Sequence, residues 1–152
     1  MQFRIERLED PDAGAWAELR AQLWPHHSVE ELYRDGIELL ARERDVVFVA
    51  KAAGELVGFA EASLRVDHVN GTSSSPVTFL EGLYVVPSCR RHGIARALCG
   101  EVERWGARSG CTEFASDALL ENDEGRDVHV ALGFREIEAV VYFLKAIERD
   151  AT

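Results

Sequence analysis

The chain has 152 residues, 47% of them hydrophobic, which suits a single domain over 1–152 with one substantial core and leaves no room for a second. Seventeen basic residues against twenty-seven acidic ones give a net charge of −10, which disfavours nucleic acid as a partner and attracts cations at long range, besides serving plain solubility. Three cysteines without C-x-x-C spacing (Cys89, Cys99, Cys111) argue against a disulfide framework or a thiolate metal site, and with no signal peptide or apolar span after Met1 the expected location is the cytoplasm.

Phe3 and Ile5 alternate with Arg4 and Glu6 as in a half-buried strand. Asp10-Pro11-Asp12 then supplies turn and cap chemistry ahead of a helix over Ala13 to Trp24, which Pro25 ends. Ser28-Val29-Glu30-Glu31 is a capping-box pattern for a second helix to about Arg42, with Leu32, Leu39 and Leu40 on its apolar side. Val46 to Ala52 and Glu55 to Val66 are β-rich runs split by Ala53-Gly54, an antiparallel hairpin. Val77 to Val86 is the next strand, broken by Pro87-Ser88. Ile94 to Ser109 then carries Ala95, Leu98, Val102 and Trp105 at helical spacing, with Gly110 as its stop. Thr112 to Ser116 reads as a short strand, Glu121 to Leu132 as a helix closed by Gly133, and Phe134 to Ile137 and Val140 to Ile147 as two final strands. The expected order is βααβββαβαββ.

Arg90-Arg91-His92-Gly93-Ile94-Ala95 falls at the mouth of the third helix, where free amides face outward with the positive end of the helix dipole behind them. Gly93 allows a tight backbone and close ligand approach, and Ala95 keeps the first helical turn small. Such a basic island in an acidic chain is where an anionic cofactor is expected, the other reading being a basic loop that caps a helix. Cys89, beside it, is either a small packing residue or a thiol nucleophile.

The spacing Arg-x-x-Gly-x-Ala resembles the pyrophosphate-binding signature of the GNAT acetyltransferases, and Ala131-Leu132-Gly133-Phe134 resembles the Leu-Gly-Phe ending that follows the last helix of that fold. The element order is similar throughout. This resemblance implies an α/β (α+β) GNAT fold: a mixed, mostly antiparallel sheet of six to seven strands, flanked by four helices and splayed between the fourth and fifth strands. It also implies acetyl-coenzyme A (acetyl-CoA) as co-substrate, with no metal. Gln22-Leu23-Trp24-Pro25, Val69-Asn70-Gly71, Ser74-Ser75-Pro76-Val77, Phe79-Leu80-Glu81-Gly82, Arg104-Trp105-Gly106 and Ala115-Ser116-Asp117 are together similar to the aminoglycoside 6′-N-acetyltransferases. That similarity implies direct attack of an aminoglycoside 6′-amine on the thioester, resistance to the antibiotic, and a homodimer formed through Phe134 to Ile147. A polyamine, another small amine or a peptide amino terminus is the alternative acceptor. A coenzyme A-binding sensor without turnover is the alternative outside enzymes.

A flexible polycation calls for carboxylates and for a flat surface under its sugar rings. Glu81 interrupts the apolar run Val77-Thr78-Phe79-Leu80, and Asp117 ends Phe114-Ala115-Ser116 where the sheet is expected to splay. A buried carboxylate needs a partner. For Glu81 that is a bound ammonium, an internal arginine or a backbone cap; for Asp117 it is the ammonium or the cap of the following loop. The resemblance makes Asp117 the first choice for orienting the amine and taking its proton, and Glu81 the second. It gives Trp24, at a helix end, a sugar-stacking role, with core packing as the alternative. It places His68 where relatives carry an aromatic ring, against an ordinary exposed loop histidine, and makes Glu138 a further anion of the sugar site, against a plain turn acid. For the cofactor it implies Arg90, Arg91, His92, Gly93, Ile94 and Ala95 at the pyrophosphate. The main chain of Leu83, Tyr84 and Val85 would lie along the pantetheine arm and the thioester carbonyl, and Asn122 would bind at the next helix, where capping is the alternative. Where many superfamily members place a tyrosine as the acid for the departing thiolate, this chain has His129; Tyr142 is a second donor, and the acid stays open between them and water.

Overall fold

The computed structural model describes residues 1–150. Its elements are β1 (Arg4–Arg7), α1 (Ala13–Leu23), α2 (Val29–Leu40), β2 (Asp45–Ala52), β3 (Glu55–Arg65), β4 (Val77–Val85), α3 (Ile94–Arg108), β5 (Phe114–Ser116) and α4 (Asp123–Ala131). One sheet carries the strands in the order β1-β2-β3-β4-β5, antiparallel from β1 to β4 and parallel between β4 and β5. A parallel step needs a long crossover, and α3 supplies it.

Strand alternation sorts the side chains between two layers of helix. Val46, Phe48 and Ala50 of β2 meet Ile94, Leu98, Val102 and Trp105 of α3, with Leu132 and Phe134 beyond α4 packed at the same core. Val47, Val49 and Phe59 point the other way, on to Trp16 and Leu19 of α1. Glycines in two of the helices allow close approaches between elements. A Cβ on Gly36 of α2 would come 2.7 Å from the Trp16 ring, and one on Gly106 of α3 would run into Thr78 of β4.

The layer under α1 also contains a buried ion pair. Arg20 Nε donates to Glu61 Oε1 at 2.5 Å, Nη2 to Oε2 at 3.2 Å, and Nη1 to the Leu32 carbonyl at 2.8 Å. One guanidinium thereby ties α1 to β3 and to α2, which is the density of partners that a buried charge requires. Burial pushes the Glu61 carboxyl above its ordinary value, against the opposing pull of Arg20.

The sheet has five strands, where the sequence suggested six to seven, because Phe134 to Ile137 and Val140 to Ile147 are not strands. Arg126 pairs with Glu136 at 2.8 Å, drawing the start of this run back toward α4, and Ile137 rests on Gly71. Beyond it Val141, Tyr142, Phe143, Leu144 and Ile147 are 77–99% exposed. A strand exists only where a neighbouring backbone takes up its N–H and C=O groups, and among the described residues nothing pairs with this run. No helix of the described residues is long and apolar enough to cross a membrane.

Candidate active site

β4 pairs with β3 from end to end, but with β5 only at Thr78↔Phe114, Phe79↔Ala115 and Leu80↔Ser116. From Glu81 onward the β5 side of β4 is unpaired, so the sheet opens between the fourth and fifth strands as expected. Leu83 and Val85 turn main-chain groups toward this opening, whereas those of Tyr84 between them face β3; the Val85 carbonyl accepts from Arg90 Nε at 2.8 Å.

The basic turn follows the end of β4 and so lies at the wide end of the opening. Arg91 and Gly93 have φ of 66° and 83°, in the left-handed region, and Gly93 is the residue before α3. No side chain caps the amides of the first helical turn, and such a sequence of N–H groups forms a concave nest for anionic oxygens. A Cβ on Gly93 would meet nothing within 4 Å, so the space over the nest is open. These donors fit a diphosphate. Ile94 is buried in the α3 core and offers only its amide, Ala95 is half-buried, and Arg91 and His92 are exposed. Arg90 is also exposed, held by the Val85 carbonyl and by Glu124 at 3.5 Å. Asn122 Oδ1 accepts from the Gly125 amide at 3.0 Å, which makes it the cap of α4. Cys89 is buried as a packing residue. Among the described residues no group of His, Cys, Asp or Glu is arranged to hold a metal ion.

Glu81 lies at a β-bulge. Ala62 pairs with Leu80 and Glu61 with Gly82, so Glu81 is the bulged residue without a counterpart on β3; its side chain keeps the face of Phe79, and the bulge brings Gly82 and Tyr84 on to that same face. It reaches the α1 face of the sheet. There its Oε1 accepts from Ser63 Oγ at 2.6 Å and from Arg65 Nε and Nη2 at 3.1 and 2.9 Å, while Oε2 accepts from Arg65 Nη2 at 2.9 Å. Of the alternatives left by the sequence, the internal arginine is present. The next residue, Gly82, lets the Trp24 indole lie on the strand: a Cβ there would come 2.8 Å from Trp24 Cη2. Trp24 also contacts Phe59, with centroids 6.3 Å apart, and the Arg20 guanidinium at 5.1 Å, so it is a half-buried ring braced from behind and set beside Glu81. Tyr84 Oη donates to Gln22 Oε1 at 2.7 Å, fixing the end of α1 to the same strand.

Asp117 is the first residue past β5 and exposed, and it follows the last β4–β5 pair as Glu81 does on β4. His68 and Glu138 are exposed as well; the contact of Ile137 with Gly71 brings the segment carrying Glu138 beside the loop that carries His68. The structure thus lays Trp24 on Gly82 beside Glu81, sets Glu81 and Asp117 just past the last β4–β5 pair, and leaves His68 and Glu138 on neighbouring segments.

His129 is not an ordinary core histidine. Its Nδ1 lies 2.6 Å from the Gly125 carbonyl, which only accepts, so Nδ1 carries the proton; in the neutral ring Nε2, 2.7 Å from Ser116 Oγ, then accepts from that hydroxyl. Ser116 sits on the last β4–β5 pair, so this dyad lies at the apex of the opening. Tyr142 is exposed on the C-terminal run.

Sequence reasoning missed Ser63 and Arg65 as partners of Glu81, and Ser116 as partner of His129. The first was signalled: Glu61, Ser63 and Arg65 are polar at every second position of an otherwise apolar strand, a polar stripe on one face. The second pairing joins β5 to α4 and had no local signal.

The acetyltransferase (GNAT) family model matches residues 8–134. The aminoglycoside N(6′)-acetyltransferase type 1 of Salmonella typhimurium strain LT2 is 48% identical over 141 residues, covering 93% of this chain and 97% of its own. The enzyme of the same name from Stenotrophomonas maltophilia is 46% identical over 148 residues, covering 97% of this chain and 95% of its own. A solved structure of AAC(6′)-Iy in complex with the bisubstrate analog CoA-S-monomethyl-acetylneamine superposes with a TM-score of 0.91 at 44% identity, covering 97% of this chain and all of that one.

Proposed function

The chain belongs to the acetyltransferase (GNAT) family, and from that premise we propose that it transfers the acetyl group of acetyl-CoA to the 6′-amine of aminoglycosides, in the cytoplasm, and so confers resistance to them. The observation that carries the reading is the opening of the sheet past Leu80↔Ser116, with a diphosphate-fitting nest at its wide end, Glu81 and Asp117 just past that pair, and Trp24 lying on the adjacent Gly82.

Acetyl-CoA supplies an activated acyl group on a good leaving thiolate; the chain's own groups do the rest. The α3 mouth holds the diphosphate with main-chain N–H groups, Arg91 and His92 adding charge from outside. The main chain of Leu83, Tyr84 and Val85, paired with β3 but free on its β5 side, aligns the extended arm and offers hydrogen bonds to the thioester carbonyl. Trp24 presents its ring to a sugar, and His68 and Glu138 extend the sugar site. Asp117 orients the incoming ammonium and takes its proton, Glu81 serving as second carboxylate. For the departing thiolate, His129 stands at the apex of the opening but in its neutral form has Nδ1–H on the Gly125 carbonyl and Nε2 accepting from Ser116, and Tyr142 is exposed on the C-terminal run, so water stands beside them as the proton source. Asn122 can both cap α4 through Oδ1 and donate to the cofactor through its amide.

A second copy of the chain is the proposed partner of the exposed apolar run from Val140 to Ile147, giving the homodimer. The test of the whole reading is release of free thiol from acetyl-CoA on adding kanamycin or tobramycin, with the product acetylated at the 6′ nitrogen. Silence across such a panel, or turnover only with polyamines or peptide amino termini, would remove it. Expression in a sensitive bacterial host is expected to raise the inhibitory concentration of the same drugs.

A further inference from the structure

We propose that Arg65 is a resident stand-in for the acceptor's ammonium at Glu81, and that it sets how strongly the site selects polycationic acceptors. The proposal rests on the reading of Glu81 as a substrate-binding carboxylate. Both oxygens of that carboxylate are already engaged by Arg65, so an incoming ammonium has to exchange with the guanidinium rather than find a bare anion.

Three features make this cation exchangeable. Arg65 is the last residue of β3, where the ladder ends. The pair is open to water, 42% of the Arg65 side chain and 34% of that of Glu81 being exposed, and ion pairs in such settings hold weakly. Glu81 keeps its aim without Arg65, because Ser63 Oγ donates to it independently. The neighbouring pair on the same face is the contrast: Arg20 and Glu61 are 8% and 3% exposed, and nothing from solvent reaches between them.

Two further features explain why the exchange has to be cation for cation. Asp45 and Glu61 both lie close enough to Glu81 for its charge to disfavour theirs, so a Glu81 without a cation would leave three carboxylates with too little positive charge among them. Once displaced, Arg65 also gives up its stack on the Phe79 ring, 3.5 Å from the guanidinium carbon to the centroid. Each acceptor therefore gains Glu81 only at the expense of this internal contact, which rejects weakly charged molecules and tolerates polycations.

The test is steady-state kinetics of Arg65→Met and Arg65→Lys with kanamycin, at low and at physiological salt. Arg65→Met is expected to lower KM about fivefold at low salt, the worth of a partly exposed ion pair, with the gain shrinking as salt rises. The turnover number and acetyl-CoA affinity are expected to stay as in the parent, and Arg65→Lys to behave like it. A KM that rises or stays put in Arg65→Met makes Arg65 a strut for Glu81 and overturns the proposal. A parent protein that acetylates no aminoglycoside overturns the functional reading and the proposal with it. As a readout independent of any variant, the Arg65 Nε–H resonance of the parent is expected to shift on titration with kanamycin in the absence of acetyl-CoA; an unmoved resonance also overturns it.

Discussion

Glu81 and Asp117 both come next after the last pair of the parallel β4–β5 ladder, yet among the described residues protein partners engage only Glu81. The two carboxylates are therefore expected to respond differently to neutralisation. Asp117→Asn keeps shape and hydrogen-bonding capacity but cannot take a proton, and is expected to lower kcat about a hundredfold or more while leaving the dissociation constant of acetyl-CoA unchanged. Parallel kinetics and calorimetric titration check this, and equal losses in both would assign Asp117 to cofactor binding instead. At this scale the sequence was informative about type and less so about partner. That Glu81 needed a counter-charge followed from a carboxylate in an apolar strand, and an internal arginine was one of the alternatives. Which arginine depends on the β3–β4 register, which sets Ser63 opposite Phe79 and Arg65 opposite Val77 on the face of Glu81, and register between strands leaves little trace in composition.

Elements joined by local patterning agree with the sequence: the α1–α2 pair, the β2–β3 hairpin and the strand, basic turn and helix that carry the nest. Each is set by neighbours within a few residues, through Pro25, the Ser28 cap and the left-handed Gly93. The two C-terminal strands were misread for the complementary reason. Alternation in Phe134 to Ile147 reports a segment able to pair, whereas pairing itself depends on a backbone that local sequence does not contain. Close packing between elements is equally invisible until the layers are assembled, and Gly106 is the clearest case. An alanine there would gain about 1 kcal/mol of helix propensity but push α3 off Thr78, and overpacking of this kind outweighs it. Gly106→Ala is expected to destabilise the fold by about 1–3 kcal/mol, read as a lower guanidinium midpoint at unchanged slope.

For the molecule as a whole, the exposed row Val141, Tyr142, Phe143, Leu144 and Ile147 is a surface that water leaves unsatisfied. With a second copy as its partner, the pair of changes Phe143→Glu and Leu144→Glu is expected to convert a dimer into a monomer in sedimentation while the secondary structure of residues 1–134 persists. A parent protein that sediments as a monomer would refute that arrangement. The net charge of −10 belongs to this scale too, since it favours the approach of a polycation from any direction while the basic turn remains a local exception.

The clamp of Arg20 on Glu61 and the Leu32 carbonyl bears on the history open to this chain. Positions 20 and 61 are far apart in the gene, but neither can drift alone. Glu61→Gln strands a guanidinium inside the fold and is expected to cost about 3–5 kcal/mol, whereas replacing both residues by apolar ones of similar bulk is expected to be close to neutral. Chemical denaturation of the two single variants and the double variant would measure that gap. Lineages descending from a common ancestor should accordingly keep both charges or lose both, with one-sided intermediates purged along the way.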